Sequence, residues 1–537
     1  MQYRLICFAE WLRRRISAVA FFVAIIACAS PAGGQSVLTY HNNNARTGQN
    51  LNERILTLSN VNVTTFGKLF VISVDGKVDA QPLYLPGVAI PNKGTHNVLF
   101  VATENDSIYA FDATNGTLLW RRSLLKSGET PSDSRNCSQV TPKIGITATP
   151  TIDPLAGPNG TIYVMSISKN SSSGYFQRLH GLNVATGAEQ FGGPVTIRAS
   201  FPGTGDNSNN GSVIFDPKQY KARPGLLLLN GVVYTTWGSH CDHRPYTGWV
   251  IGYNQATLQQ VSVLNLAPNG HAAAIWMSGG APASDSAGNV YIMAGNGTFE
   301  TTLNANGFPN KNDFGNAFVK VSTLNGRLIV ADYFAMFNTL AESSIDEDLG
   351  SGGPLVLPGL KDSSGRTWQL VVGAGKDKKI YLLNRNNMGK FNPTFNNIYQ
   401  EVPTALAGSV FSSPAYFNGT LYFGAVGDAI RAFRFSNARL PSVASSKTSH
   451  VFPYPGATPS ISANGTSNGI MWAPENGTVA VLHAYDAANL GRELYNSNLA
   501  AGGRDHFGTG NKFITLTIAN GRVYVGTTNG VAVFGLR

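Results

Sequence analysis

The chain has 537 residues, a formal net charge of +10 at neutral pH and only 13% charged residues, a low share for a soluble domain. Long amphipathic helices need a polar face rich in Glu, Lys and Arg, so this composition disfavours them. The 59 glycines and 20 tyrosines favour many short strands and turns. Because no run of Lys and Arg follows residue 35, a nucleic acid partner is not expected. We therefore predict an all-β protein.

Residues 1–32 have the layout of an export signal. Three arginines at positions 13–15 precede an apolar run over residues 16–28, and small residues follow. A membrane-spanning helix needs about 20 apolar residues, and this run is shorter, which favours cleavage over a retained anchor. Cleavage before Gly33 is one alternative. The other is a bacterial lipoprotein site with a lipid on Cys28, the only route by which we expect membrane attachment of this exported, periplasmic or extracellular protein.

Beyond residue 66, a turn followed by a strand with an aromatic residue recurs along the chain. Asn-Gly suits these turns because two-residue hairpin turns need positive φ. Each copy has a short apolar strand before it and two further strands after it, and four antiparallel strands repeated radially are typical of a β-propeller. We predict an N-terminal extended segment over residues 33–66 and an eight-bladed β-propeller over residues 67–537. The copies are "HNVLFV" at His96, "NGTIYV" at Asn159, "NGVVYT" at Asn230, "GNVYIM" at Gly288, "RTWQLVV" at Arg366, "NGTLYF" at Asn418, "NGIMWA" at Asn468 and "NGRVYV" at Asn520.

The two ends of the repeat region predict how the ring closes. The last unit ends on its third strand, "VAVFGL", and lacks a fourth. A spare strand, "GKLFVISV" over residues 67–74, precedes the first innermost strand. If this strand completes the eighth blade, the ring is sealed between its termini and two exposed sheet edges disappear.

The motif "YAFDATNGTLLW" resembles the repeat of pyrroloquinoline-quinone-type propellers. The stretches "GKLFVISVDGKVDAQPLY", "GSHCDHRPYTGWVIGY", "IWMSGGAPASDSAGNVY" and "GKDKKIYLLNRNNMGKF" resemble an exported bacterial subfamily of this type, whose biochemical role is largely uncharacterised. The resemblance implies the propeller fold. Propellers of this type that are dehydrogenases hold the quinone over a calcium ion, between a Trp and a disulfide of adjacent cysteines, and have a catalytic Asp.

This sequence departs from the dehydrogenase pattern. No two cysteines are adjacent, so that disulfide cannot form, and no C-x-x-C-H motif for a fused haem occurs. Trp237 and Trp276 are the candidates for the Trp at the hub, and packing of these residues between blades is the alternative reading.

Propeller geometry brings two kinds of loop to one face: the loop entering each innermost strand and the loop between the second and third strands. Sixteen such segments should surround one funnel, and they are unusually polar for this chain. The candidates for binding a cofactor there are Gln81, Glu104, Lys143, Trp237, Trp276, Lys376, Arg504 and Lys512.

"SHCDHRPY" places His240, Cys241, Asp242 and His243 in one loop. Zinc ligands are usually two to four residues apart because immediate neighbours cannot all face one ion. We therefore favour a disulfide between Cys137 and Cys241, the simplest pairing in an oxidising compartment, over a metal site.

"DEDLGSGG" places Asp346 and Asp348 in a Gly-rich loop. Carboxylates at i and i+2 can bind calcium, which makes these two residues the candidate metal ligands. A solvated acidic loop is the alternative.

"GGRDHFGTGNK" precedes the last innermost strand. Arg504 and Lys512 could bind a carboxylate or a quinone oxygen, and Asp505 and His506 could transfer a proton as the catalytic pair. The alternative is an Arg-Asp pair that joins the last blade to the first.

Three functions fit these observations. The first is a monomeric, exported propeller that binds a small molecule or a protein partner, or acts as a scaffold, through its funnel or faces, without redox turnover. The second is a quinone-dependent dehydrogenase of alcohols or sugars with a divergent site, which would use pyrroloquinoline quinone and calcium. The third is an outer-membrane assembly scaffold, which depends on a lipid at Cys28.

Overall fold

The computed structural model of this protein describes residues 35–537. The expected export signal over residues 1–32 and the lipid site at Cys28 lie outside the described residues. Strands account for 43% of the structure and helices for 4%, so the prediction of an all-β protein is confirmed. Within residues 35–537, no helix is both long enough and apolar enough to cross a membrane.

Most of the long strands belong to antiparallel units of four strands, which we number sheets 1 to 8. Sheet 1 contains Leu83–Ile90, Gly94–Ala102, Ser107–Asp112 and Leu118–Ser123; sheet 2 contains Thr151–Asp153, Thr161–Asn170, Tyr175–Asn183 and Val195–Thr196; sheet 3 contains Leu227–Leu229, Val232–Thr236, Trp249–Asn254 and Gln260–Asn265; and sheet 4 contains Ala283–Ser284, Asn289–Met293, Ala317–Ser322 and Ile329–Ala335. Sheet 5 contains Leu355–Val356, Leu370–Ala374, Ile380–Asn384 and Gln400–Val402; sheet 6 contains Ala415–Phe417, Thr420–Phe423, Asp428–Arg434 and Ser446–Phe452; sheet 7 contains Ser460–Asn464, Ser467–Glu475, Val481–Asp486 and Glu493–Asn496; and sheet 8 contains Thr517–Ala519, Arg522–Gly526, Gly530–Leu536 and Phe66–Ser73.

The remaining elements are short. The other strands are Gln49–Asn50, Glu129–Asp133, Lys143–Ile144, Ser200–Pro202, Ser208–Asn209, Ser212–Ile214, Tyr220–Lys221, Gly238–Ser239, Leu360–Lys361, Thr367–Trp368 and Lys390–Phe391. The helical elements are the α-helix Thr339–Ser344 and the 3-10 turns Met277–Gly279, Leu324–Gly326, Leu349–Ser351, Ser497–Leu499 and Ala501–Gly503.

Asn-Gly pairs form the turns between the first and second strands of several sheets. In sheet 3, Asn230 and Gly231 have φ of 50° and 79°, and in sheet 8, Asn520 and Gly521 have φ of 51° and 75°. Positive φ at both central residues is the hairpin geometry whose twist matches the flanking strands. The recurring Asn-Gly motif therefore marks where the first strand of a sheet ends and the second begins.

Sheet 8 is built from both ends of the described chain. Phe66–Ser73 pairs antiparallel with Gly530–Leu536, from Phe66 opposite Leu536 to Ser73 opposite Gly530. The bulky side chains of sheet 8 also pack on sheet 1, where the rings of Tyr84 and Tyr524 lie 6.4 Å apart and share one hydrophobic core. The first and last sheets are therefore in direct contact.

Residues 37–50, which we call the inner segment, contact the first strand of each of the eight sheets. The contacts follow the order of the sheets along the chain, and their donor–acceptor distances are all 2.7–2.9 Å. The segment thus supplies backbone partners to strands that are only two to eight residues long. The hydrogen bonds are Val37 N to Tyr84 O, Ile152 N to Leu38 O, Asn44 Nδ2 to Leu228 O, Ser284 N to Asn44 O, Val356 N to Ala45 O, Tyr416 N to Thr47 O, Ile461 N to Gly48 O and Asn50 Nδ2 to Ile518 O.

Arg46 lies within the inner segment and is fully buried. Its Nε donates to Pro282 O at 2.9 Å, and its Nη1 donates to Thr39 Oγ1 at 2.8 Å and to Tyr40 O at 2.9 Å. Burial lowers the pKa of Arg46 to about 9, so the side chain remains charged at neutral pH. These acceptors are neutral oxygens, and the guanidinium joins the inner segment to the loop that enters sheet 4.

We expect Arg46→Ala to lower the free energy of unfolding by about 3 kcal/mol, because it leaves buried acceptors without a donor. Arg46→Lys should restore only part of this loss, since an ammonium group cannot reproduce the planar fork of the guanidinium. Urea denaturation of the chain without residues 1–32 measures both effects. Arg54→Ala, at an exposed position nearby, is the control, and equal midpoints for Arg46→Ala and Arg54→Ala would contradict the role of Arg46.

Candidate functional site

The candidate site is a cavity of about 170 Å³. Its walls come from loops that enter first strands and from loops between second and third strands, the two kinds of loop that the sequence predicted to converge. Cationic, anionic and aromatic side chains all contribute to its lining. The lining residues are Gln139, Val140, Lys221, Arg223, Cys241, Asp242, Trp276, Ser278, Asn296, Asp346, Asp348, Ser351, Lys376, Phe411 and Phe513.

Lys221 and Trp276 form one wall of the cavity. Lys221 belongs to the short strand Tyr220–Lys221, is 1% exposed, and places its Nζ 5.3 Å from the centre of the Trp276 ring. The ring comes this close because Gly238 has no side chain, and a Cβ there would lie 2.9 Å from Trp276 Cε3. Burial, and then the nearby charge of Arg223, lower the pKa of Lys221 to about 7. No carboxylate among residues 35–537 lies within ion-pair distance of this ammonium group.

Arg223 lies beside Lys221 and is also buried. Its Nη1 donates to Thr147 O at 2.7 Å and its Nη2 donates to Phe513 O at 3.1 Å, whereas its Nε is buried without a partner among the described residues. Gly279 has φ of 89°, and a Cβ at this position would lie 2.4 Å from Nη2. Burial lowers the pKa of Arg223, against the opposing charge of Asp79. Arg223 thus gives the cavity a second buried cation that is hydrogen-bonded to carbonyl groups.

Lys376 forms an ion-paired cluster with the two carboxylates that the sequence proposed as calcium ligands. Its Nζ lies 2.7 Å from Asp348 Oδ1 and also contacts Asp346. Burial raises the pKa of Asp348 to about 6, although Lys376 opposes this shift. The position between the two carboxylates, where a cation would bind, is therefore taken by the lysine ammonium group.

The disulfide Cys137–Cys241 joins two loops that are 104 residues apart in the chain. Cys241 lines the cavity. His240, its neighbour, is 2% exposed, and burial together with the charge of Lys221 lowers the pKa of His240 to about 3. The loop "SHCDHRPY" therefore presents a neutral histidine and a disulfide sulfur, and offers no thiolate to a metal.

Four of the other predicted residues support the surrounding loops instead of lining the cavity. Gln81 Nε2 donates to Leu516 O at 2.9 Å, and Trp237 Nε1 donates to Gln177 Oε1 at 2.7 Å within a hydrophobic core. Glu104 is buried and Lys143 is exposed. Burial, together with the charge of Asp79, raises the pKa of Glu104. Trp276 is thus the Trp that lines the cavity, and Trp237 packs in the core.

The predicted catalytic pair, Asp505 and His506, does not line the cavity. Asp505 accepts hydrogen bonds from Arg504 Nη2 at 2.6 Å, from Tyr495 OH at 2.7 Å and from Lys68 N at 3.1 Å. Burial raises the pKa of Asp505, but the bonds from Arg504 and Tyr495 outweigh it, and the pKa is lowered overall. The pair of Arg504 and Asp505 links strand Phe66–Ser73 of sheet 8 to Tyr495 of sheet 7. It is therefore a structural pair, but it joins sheets 7 and 8 and not the last sheet to the first, as the alternative interpretation expected. His506 is exposed.

Lys512 lies at the rim of the cavity. Its Nζ donates to Ser138 O at 2.9 Å and lies 5.8 Å from the centre of the Tyr454 ring. Burial, and then the charge of Lys77, lower the pKa of Lys512. Tyr454 continues the rim by donating to Gln139 Oε1 at 2.7 Å.

Lys221, Arg223, Phe411 and Phe513 line the cavity but are not among the residues predicted from the sequence. The signal for the first two was "QYKARPG", which stands directly before the first strand of sheet 3. The expectation that loops entering first strands line the funnel, which we call the loop rule, also covers this position. The prediction named other loops because they contain more titratable groups.

No protein-family model matches the chain, and no curated protein matches it by sequence. A quinohemoprotein alcohol dehydrogenase from Comamonas testosteroni is similar in structure, with a TM-score of 0.62 and 13% identity over 95% of this chain and 81% of its own. The quinohemoprotein alcohol dehydrogenase ADHIIG from Pseudomonas putida HK5 has a TM-score of 0.58 and 13% identity over 94% and 80%. A europium-containing methanol dehydrogenase has a TM-score of 0.56 and 12% identity over 94% and 98%. This likeness shows a quinoprotein-like β-propeller fold.

We expect the double substitution Cys137→Ser and Cys241→Ser to lower the free energy of unfolding by about 2–4 kcal/mol, because the disulfide closes a long loop. Urea denaturation of the chain without residues 1–32 tests this value. Ser138→Ala, a polar-to-small change in the same loop, is the matched control. The disulfide would have no stabilising role if both variants had the wild-type midpoint.

Proposed function

We propose that this protein is an exported, monomeric propeller of eight blades that binds a small, flat, anionic ligand in the cavity, without redox turnover. Sheets 1 to 8 would be the blades, and the pairing of Phe66–Ser73 with Gly530–Leu536 would close the ring. The inner segment supports this arrangement, because a chain that visits eight first strands in order is accommodated most simply by a ring. Membrane attachment would require a lipid on Cys28.

The observation that carries the ligand proposal is the pair of buried cations Lys221 and Arg223. Burying a charge is costly unless an opposite charge or hydrogen bonds compensate it. Arg223 is compensated by carbonyl groups. Among residues 35–537, the Lys221 ammonium group contacts the face of Trp276 and has no hydrogen-bond or ion-pair partner, and Asp79 and Asp242 attract it only from beyond ion-pair distance. A carboxylate of a bound ligand would supply the missing counter-charge through a short, charge-assisted hydrogen bond.

The aromatic residues of the cavity limit the shape of this ligand. Trp276 offers a ring face beside Lys221, and Phe411 and Phe513 line the cavity with their ring centres 6.4 Å apart. Flat aromatic groups pack well against such surfaces. An aromatic or quinoid carboxylate therefore fits the cavity better than a flexible aliphatic acid.

The residues present do not fit a quinone held over calcium. Lys376 occupies the position between Asp346 and Asp348, and among residues 35–537 no set of three His, Cys, Asp or Glu ligand atoms converges at the cavity. The predicted base, Asp505, is bound to Arg504 outside the cavity. These features support ligand binding over the alternative of alcohol or sugar oxidation.

The direct test is isothermal titration calorimetry with two flat tricarboxylates, redox-inert benzene-1,3,5-tricarboxylate and pyrroloquinoline quinone, without calcium. We expect Lys221→Met to weaken binding at least about tenfold, the cost of losing one hydrogen bond between charged groups. Lys143→Met removes a cation from an exposed position outside the cavity and should bind as the wild type does.

Two results would overturn the proposal. The first is equal affinity of the wild type and of Lys221→Met for both probes. The second is reduction of an electron-accepting dye by the wild type with pyrroloquinoline quinone, calcium and an alcohol or sugar, with no such reaction in a heat-denatured control.

The affinity for an anionic ligand should also depend on pH. The pKa of Lys221 is about 7, so the ammonium form that attracts an anion is lost as the pH rises from 6 to 8. The pKa of Asp348 is about 6, and its ionisation over this range adds repulsion in the same direction. Binding should therefore weaken about tenfold between pH 6 and pH 8. The other charged groups that influence Lys221 are Arg223, Asp79, Lys512 and Asp242.

Calorimetry with benzene-1,3,5-tricarboxylate at pH 6, 7 and 8 measures this change, because the probe carries its full charge over most of the range. In Lys221→Met the pH dependence should be reduced to the smaller contribution of Asp348. A wild-type affinity that is constant or rises with pH would contradict the assignment of Lys221 as the ligand's partner.

A further inference from the structure

Two histidines and a glutamate converge where sheet 6 meets sheet 7, apart from the cavity. His450 lies on the last strand of sheet 6, and Glu475 and His483 lie on the second and third strands of sheet 7. Glu475 Oε2 lies 3.0 Å from the Nε2 atom of each histidine. One potential ligand atom from each of the three residues lies within 4.8 Å of the other two.

A second carboxylate fixes the orientation of His483. Glu493 Oε1 lies 3.0 Å from His483 Nδ1, and His483 is 1% exposed. With the Nδ1 proton donated to Glu493, the neutral ring presents the lone pair of Nε2 to Glu475. A carboxylate behind a ligating histidine is a recurrent arrangement in metal sites, because it fixes the tautomer and raises the basicity of the ligand.

The group is incompletely satisfied by the protein alone. His450 Nε2 is buried and has no hydrogen-bond partner among the described residues, although Glu475 is near. His483 Nε2 lies 3.0 Å from a carboxylate oxygen of Glu475, and either a proton or a metal ion must bridge this contact. A cation between these three atoms would remove both problems, since imidazole nitrogens and a carboxylate are common zinc ligands.

We propose that His450, Glu475 and His483 bind one divalent transition-metal ion of the zinc class and thereby join sheets 6 and 7. Three protein ligands leave a fourth position for water. The His450 side chain is about a third exposed, although its Nε2 atom is buried. Zinc with ligands at about 2.0–2.1 Å places tetrahedral ligand atoms about 3.4 Å apart. The two carboxylate–histidine separations of 3.0 Å would expand slightly on metal binding. The His450 ring, which stacks on the His483 ring with the ring centres 4.7 Å apart, would rotate so that its Nε2 points at the ion.

Zinc titration of the untagged chain without residues 1–32, first treated with a chelator, tests the site. We expect one zinc ion per chain by calorimetry and a higher thermal midpoint in zinc, as for any ion that binds only the folded state. Co²⁺ should give the visible absorption of a tetrahedral or five-coordinate site with nitrogen ligands. Both responses should disappear in His450→Ala and in Glu475→Gln, and Glu493→Gln should weaken zinc binding by about 10-fold to 100-fold.

His506→Ala, which removes an exposed histidine elsewhere, is the matched control and should bind zinc as the wild type does. The proposal fails if the wild type binds no zinc, or if His450→Ala binds it with the same affinity and the same Co²⁺ spectrum. In the first case the cluster is an imidazolium held between two carboxylates. The midpoint of each variant without zinc shows whether it is folded, and Glu475→Gln serves if His450→Ala is not.

Discussion

The structure depends on the hydrogen bonds between the inner segment and the backbone of the first strands of the eight sheets. A short strand at the inner edge of a sheet has peptide groups on its free side, and buried peptide groups need partners. The inner segment supplies them with its own backbone and with the Asn44 and Asn50 amides. Its Tyr40 hydroxyl then reaches Ser413 and Thr515, beside the loops that carry Phe411 and Phe513. The position of the cavity walls therefore follows from how this segment is bound.

The strands could be predicted because their signals are local. Asn230 and Gly231 adopt positive φ, and the alternating apolar residues on either side of such turns define hairpins without distant information. The inner segment could not be predicted in this way. Its sequence, "VLTYHNNNARTGQN", shows neither the two-residue period of a strand nor the 3.6-residue period of a helix. Its hydrogen-bond partners are up to 468 residues away in the chain. The side chains of Asn44, Arg46 and Asn50 are polar because they donate hydrogen bonds to carbonyl groups that are distant in the chain.

The site, too, could be predicted only in those features that depend on local sequence signals. The loop rule placed Lys376, Asp346 and Asp348 at the funnel, and all three line the cavity. Trp276, which also lines it, was one of two candidates that came from the family resemblance. The rule could not tell that the Lys376 ammonium group would neutralise the two carboxylates, since this depends on distances across different loops. It also could not separate Asp505, which binds Arg504, from residues whose charge is free for a ligand. Only the folded structure shows which charges are paired or hydrogen-bonded. At the cavity, Lys376 is paired with carboxylates and Arg223 donates to carbonyl groups, which distinguishes both from Lys221.

A short segment of chain, from His450 to Tyr454, links the proposed metal site to the rim of the cavity. His450 belongs to the strand Ser446–Phe452, and Tyr454 follows two residues after its end. The Tyr454 ring lies 5.7 Å from that of Phe411 and 6.1 Å from that of Phe513, and both phenylalanines line the cavity. An ion that holds His450 against sheet 7 would restrain the chain leading to Tyr454. The same ion would thus limit the motion of one rim of the cavity, so order at the junction of sheets 6 and 7 favours a preformed binding site.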